Sequence, residues 1–192
     1  MSRTYGEVVP GLTHHDAPVR AGVFNEVQVR VAAGLTLALA ATAFACANFA
    51  QVFGPIKVVT AVFLVDFTLR VTVGLHASPT GLLAGWLTRR QAPQWVSAKP
   101  KRFAWTLGAV MSAAMTVITN ADIHGALPRT ICLTCLTLMW LEAVLGLCVG
   151  CELYGLAVRR GWVGRDAAIE ICADGACEID RSRPQPEASN HR

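Results

Sequence analysis

The stretch "LEAVLGLCVGCELYG", residues 141–155, carries a glutamate, Glu142, inside an apolar run, then Cys148 and Cys151 at C-x-x-C spacing, then Glu152 and Tyr154. The run extends back to Pro128 and on to Val158. Three more apolar blocks precede it, at about Val27–Gln51, Pro55–Leu75 and Phe103–Asn120. As helices these suit a hydrocarbon layer of about 30 Å, which takes roughly 20 residues. The 192 residues are 53% hydrophobic and 16% charged, whereas soluble domains carry about 25% charge. The expected fold is therefore all-α: a polytopic membrane protein with a four-transmembrane-helix bundle. A polar leader over residues 1–26 precedes the membrane domain at 27–158, and a partly disordered cytoplasmic tail follows at 159–192. The connection over 76–102 is expected to be an amphipathic cytoplasmic loop.

Charge sets the orientation. The long loop holds Arg89, Arg90, Lys99, Lys101 and Arg102, and the tail opens with Arg159, Arg160 and Arg165. Basic residues collect on the cytoplasmic side, which puts that loop and both termini inside. Trp86, Trp95, Trp105, Tyr154 and Trp162 fall on the same side, as anchors at the membrane interface would. On the first helix Gly34, Ala38, Ala41 and Ala45 form a stripe of small residues suited to close helix packing. The leader is too long and polar for a signal peptide, and His14 and His15 within it are read as solvated. The net charge of +4 lies around apolar blocks, which argues against nucleic acid as a partner. Phosphate-binding glycine loops and the H-E-x-x-H and G-x-S-x-G signatures are missing, so those enzyme classes find no support.

Three charged residues sit at membrane depth. Asp66 and Arg70 are four apart and share a helix face. At 1.5 Å per residue they lie roughly 16–22 Å into the second block, and Glu142 about 21 Å into the fourth. Isolated charges there are costly and face the bundle interior. An Asp66–Arg70–Glu142 cluster joining the second and fourth helices is expected, with one carboxyl protonated because two acids share one guanidinium. Arg30 is expected to snorkel to the interface.

The cysteines come in pairs. Cys132/Cys135 and Cys148/Cys151 read together as C-x2-C-x12-C-x2-C, a zinc-like spacing. On one continuous helix Cys135 and Cys148 would stand about 20 Å apart, so no metal site and no cofactor is expected. C-x-x-C instead offers an attacking and a resolving thiol. On a regular helix the two Cβ atoms would be roughly 5–6 Å apart, too far for a disulfide without unwinding, which Gly150 would ease. Cys132 and Cys135 read first as small buried residues, with a second thiol station as the alternative. In the tail, Asp174-Gly175 is a hairpin turn that would set Cys172 opposite Cys177. Cys46 reads as core.

The pieces "FNEVQVRVAAGL", "GPIKVVTAVFLVDFTLR", "KPKRFAWTLG" and "LEAVLGLCVGCELY" resemble a bacterial membrane family, domain of unknown function 4395, over about residues 24–157. Phe24, Asn25, Arg30, Asp66, Arg70, Lys101, Arg102, Phe103, Glu142, Cys148 and Cys151 carry the resemblance. It implies four membrane helices and no established activity. In architecture the chain is also similar to four-helix membrane proteins of the DoxX and MauE type, which are linked with sulfur or disulfide handling.

The function expected is thiol–disulfide or sulfur handling in the bacterial inner (cytoplasmic) membrane. Cys148 and Cys151, near the cytoplasmic C-terminal end of the fourth helix, would exchange, and Glu142 with Asp66 and Arg70 would manage the proton. The lipid bilayer is one partner, and a thioredoxin-like or rhodanese-like protein would dock on the tail. The alternatives are a non-catalytic scaffold or assembly factor, and a small-solute or metal transporter using the midplane charges.

Overall fold

The computed structural model describes residues 5–9, 13–14, 17–18 and 22–163 of the chain. The tail hairpin with Cys172 and Cys177, and His15, lie outside the described residues. The described part is dominated by helices: α1 (Glu26–Asn48), α2 (Gly54–Thr72), α3 (Pro79–Thr88), α4 (Ala98–Asn120), α5 (Ala126–Trp140) and α6 (Val149–Arg159). Two small antiparallel pairs accompany them, β1 (Thr13–His14) with β2 (Ala17–Pro18), and β3 (Val23–Asn25) with β4 (Trp95–Ser97). Three helices are long and apolar enough to cross a membrane: Glu26–Asn48, Ala98–Asn120 and Ala126–Leu145. The second apolar block forms α2, but its Lys57, Asp66 and Arg70 keep it out of that set.

The β3–β4 pair organises one end of the bundle. β3 runs straight into α1 and β4 straight into α4, with Phe24 opposite Val96. Asn25 caps α1 by accepting from the Val27 N–H, and the same oxygen accepts from the Gln94 N–H, both at 3.2 Å. One side chain thus starts a helix and ties the two strands. The buried core gathers at this end, around Phe24, Val29, Leu75, Ala84, Val96 and Trp105. Trp95 and Trp105 are 7% and 3% exposed, so they are core residues and not the interfacial anchors expected. Trp86 is exposed, with the Arg89 guanidinium over its ring.

Other expectations also shift. α1 buries Val29, Ala32, Ala33, Thr36, Ala43 and Ala47. Ala38 and Ala41 are exposed, so the packing stripe runs beside the one read from Gly34, Ala38, Ala41 and Ala45. α4 begins at Ala98, ahead of its apolar part, because Ser97 and the strand pair launch it. The loop over 76–102 is largely structured. Ser78 caps α3 by accepting from the Gly81 N–H at 3.1 Å, and Pro79 opens that helix, a position where proline's missing N–H is harmless.

The fourth apolar block is not one rod. After Trp140 the helix loosens into a π-helical segment, Leu141–Leu145, and Gly146 turns left-handed at φ 70°. The Gly146 and Leu147 N–H groups return to the carbonyls of Glu142 and Leu141, a glycine-terminated ending. Arg30 donates to the Ala143 and Val144 carbonyls at 3.4 and 2.9 Å. Half-buried, it closes the end of this helix. Carbonyls left unpaired where a helix stops favour a cation.

Gly150 explains how α6 seats on α4. A Cβ at Gly150 would stand 2.6 Å from Ala104 Cβ and 2.7 Å from Ala104 Cα. The glycine serves close approach, not ease of unwinding. Gly150→Ala is expected to lift α6 and lower stability by about 1–3 kcal/mol, the usual range for overpacking. The loss is read from the unfolding midpoint in detergent, and an unchanged midpoint would mean that α6 does not depend on this close approach.

Candidate functional site

Two buried ion clusters lie near the strand end of the bundle. The first joins α1, α2 and α3. Arg70 Nε stands 2.7 Å from Asp66 Oδ2, with the two side chains 2% and 0% exposed. The expected pair thus forms, one turn apart on α2. Asp66 also accepts from the Thr80 N–H at 3.0 Å and from the Thr80 hydroxyl at 2.8 Å. Thr80 lies in the first turn of α3, where free N–H groups and the helix dipole favour an anion. Arg70 Nη2 donates to the hydroxyls of Thr36 and Thr80, and its guanidinium lies 4.8 Å from the Phe67 ring and 5.9 Å from the Trp105 ring.

The carbonyls at the end of α2 are also met. Tyr5 Oη donates to the Arg70 carbonyl, and Arg102 Nε donates to the Val71 carbonyl at 3.1 Å while stacking on Tyr5. Burial pushes the Tyr5 phenol up to about 12, against the pull of Arg102 and Arg70. With its charges matched and its donors directed, this cluster has the features of a structural clasp.

The second cluster departs from the expected one. Glu142 pairs with Lys101, not Arg70: Lys101 Nζ stands 3.1 Å from Glu142 Oε1 and 2.9 Å from Glu26 Oε2. All three residues are buried, at 4% exposure for Glu26 and Lys101 and 6% for Glu142. They come from the first residue of α1, the first turn of α4 and the π-helical segment. Two acids to one cation still describes the site, with different members. Glu26 escaped notice because it ends a polar leader, and Lys101 because it stood in a basic run read as a solvated orientation signal. Both lie in pieces that carry the family resemblance, which was the available hint.

The thiol pair adjoins this triad. Cys148 Sγ and Cys151 Sγ are 2.7 Å apart, and Lys101 is within electrostatic reach of both. Cys148 is the N-cap of α6, with extended backbone at φ −88° and ψ 96°, and Cys151 lies in the first helical turn. The Cys151 and Glu152 N–H groups both return to the Cys148 carbonyl, at 2.9 and 3.1 Å. This corrects two sequence expectations. The pair stands at a helix start, not near the end of a long helix. The sulfurs meet without unwinding, because Cys148 lies outside the helix, with extended backbone at the N-cap.

Cys148 is buried and Cys151 half-buried. Cys148 and Glu142 line a mainly apolar cavity of about 170 Å³, whose wall also includes Cys132 and Cys135 of α5. Those two are half-buried and free. Cys46, half-buried on α1, is not among the buried core residues. At the far end of the bundle Lys57 and Asp122 form an exposed pair at 2.6 Å, and the ammonium holds the Asp122 carboxyl below its usual range. Among the described residues no group of three or more His, Cys, Asp or Glu side chains is arranged to hold a metal ion.

A family model described as Domain of unknown function (DUF4395) matches residues 24–159, and the chain belongs to that family. The match covers both ion clusters and the thiol pair, and ends at the last residue of α6. No curated protein and no solved structure matches the chain.

Proposed function

We propose that this DUF4395 member is a membrane-embedded thiol–disulfide exchange protein working through Cys148 and Cys151. The observation that carries the proposal is the contact of the two sulfurs at the start of α6, beside the Lys101–Glu26–Glu142 triad. Exchange runs through the thiolate. An ammonium and the N–H groups of a helix start are both suited to receive negative charge.

In one direction the Cys148 thiolate attacks a partner disulfide. A mixed disulfide forms and one partner thiolate leaves. The Cys151 thiolate then attacks Cys148 Sγ, releasing the second partner thiolate and closing the Cys148–Cys151 disulfide. The reverse sequence oxidises a partner dithiol. Glu142 is the group in this proposal that holds the displaced proton.

A four-span arrangement is part of the proposal, and chain direction supports it. β3 and β4 are hydrogen-bonded neighbours, so α1 and α4 start at the same end of the bundle. Once α1 has crossed, the chain must return before β4. α3, with 10 residues, reaches only about 15 Å, whereas the 19 residues of α2 reach about 29 Å. α2 also presents Val58, Val62 and Val65 outward, as a lipid-facing stripe would. α3 exposes Leu82, Leu83, Trp86 and Leu87, which suits a helix lying in the interface. We place the strand end and both termini on the cytoplasmic side of a bacterial inner membrane, following the basic residues.

The test uses full-length protein and glutathione disulfide. Cys151→Ala is expected to hold one glutathione on Cys148, found by intact mass and removed by dithiothreitol. The native chain is expected to release it and close the pair. Failure to form either species would favour the scaffold alternative.

A further inference from the structure

Resting on that thiol-exchange reading, we propose that the cavity between the helices takes a quinone, and that this quinone oxidises the Cys148/Cys151 dithiol. The cavity, of about 170 Å³, lies among α1, α2, α4, α5 and α6. The cavity is partly open, so a ligand can enter it from outside. α5 forms one wall, with none of its residues fully buried. An apolar cavity of about 150 Å³ admits benzene, so a six-membered ring fits this volume. Phe67 and Trp105 on the wall offer aromatic surfaces, which a flat ring packs against.

The polar groups on the wall decide between a ring and a plain acyl chain. An acyl chain would fill the volume but leave Cys148 and Glu142 without a chemical role. Closing a disulfide breaks two S–H bonds, forms one S–S bond and releases two electrons and two protons. An acceptor reached from hydrocarbon must dissolve in lipid and take two of each. A quinone does this, because each ring oxygen gains one O–H. The balanced step is dithiol plus quinone giving disulfide plus quinol. Glu142, hydrogen-bonded to Lys101 and on the same wall, stands where a proton from the thiols would be held. The net direction follows: a partner dithiol reduces the Cys148–Cys151 disulfide, and the quinone reoxidises it.

The test uses reduced full-length protein in lipid nanodiscs without oxygen, ubiquinone-1 as the probe, and diamide as a separate thiol oxidant. The expected result is one quinol formed per Cys148–Cys151 disulfide, read by ultraviolet absorbance and peptide mass. In the native chain Cys132 and Cys135 are expected to remain reduced after turnover, read by peptide mass, which excludes the α5 pair as the electron source. Ser112→Phe and Ala40→Phe each put bulk into the cavity. Each is expected to slow quinol formation on the order of tenfold, equivalent to about 1.4 kcal/mol at the barrier, with circular dichroism and elution volume unchanged. Disulfide closure by diamide but not by ubiquinone-1 would overturn the quinone proposal and leave thiol exchange standing. Thiols that resist both oxidants would overturn the two together. A native rate in both folded cavity variants would remove the cavity as the quinone's site.

Discussion

Lys101→Met is expected to lower the unfolding free energy by about 3–5 kcal/mol, the range for removing one partner of a buried ion pair. The ammonium is 4% exposed and has Glu26 and Glu142 within 3.1 Å. Without it, two carboxylates remain buried with no cation bound to them, and at least one must take up a proton or reach water. The loss should appear as a lower midpoint in detergent unfolding. The triple variant Lys101→Met/Glu26→Leu/Glu142→Leu is expected to regain most of it, since replacing a whole buried ion set by apolar residues is often close to neutral. That recovery separates a charge effect from loss of the lysine stem's packing. A Lys101→Met protein as stable as the native one would mean that the triad does not hold α1, α4 and the π-helical segment together.

The second large effect belongs to Asp66. Asp66→Ala is expected to cost about 3–5 kcal/mol on the same grounds, because Arg70 would remain 2% exposed with only hydroxyl acceptors. The Thr80 N–H at the start of α3 would also lose its acceptor. Asp66→Asn keeps an acceptor oxygen while losing the charge, and should fall between native and Asp66→Ala. Arg70→Lys is expected to be destabilising too, because a lysine replaces neither the planar fork nor the stacking on Phe67 and Trp105. Equal stability of the native, Asn and Ala forms in the same detergent assay would show that the clasp does not hold α3 to α2.

How much of this was legible depended on whether a feature was local. The Asp66–Arg70 pair was readable because helical period alone brings residues four apart together. The apolar blocks gave the helices, although α4 starts at Ala98, inside a stretch read as loop, since the strand pair that launches it joins distant segments. The break at Gly146 was hidden, because glycine is common in membrane helices and nothing beside it signals that Arg30, far off in sequence, will meet the freed carbonyls. From that break came the wrong partner for Glu142 and the wrong helix end for the thiols. Lys101 was missed because a basic cluster beside an apolar block normally meets water, and only the fold brings two acids to it.

The triad also constrains how the chain is made. Glu26 and Lys101 lie 75 positions apart, and Glu142 follows Lys101 by another 41. At about 5–20 residues per second, roughly 4–15 s of synthesis separate the first acid from its counterion. A nascent chain that has delivered only its first helix to the translocon must leave Glu26 wet or neutral until the fourth arrives. The last acid docks later still, and the thiols come only after it. Synthesis therefore runs in one order, with every member of the charge lock made before Cys148 and Cys151.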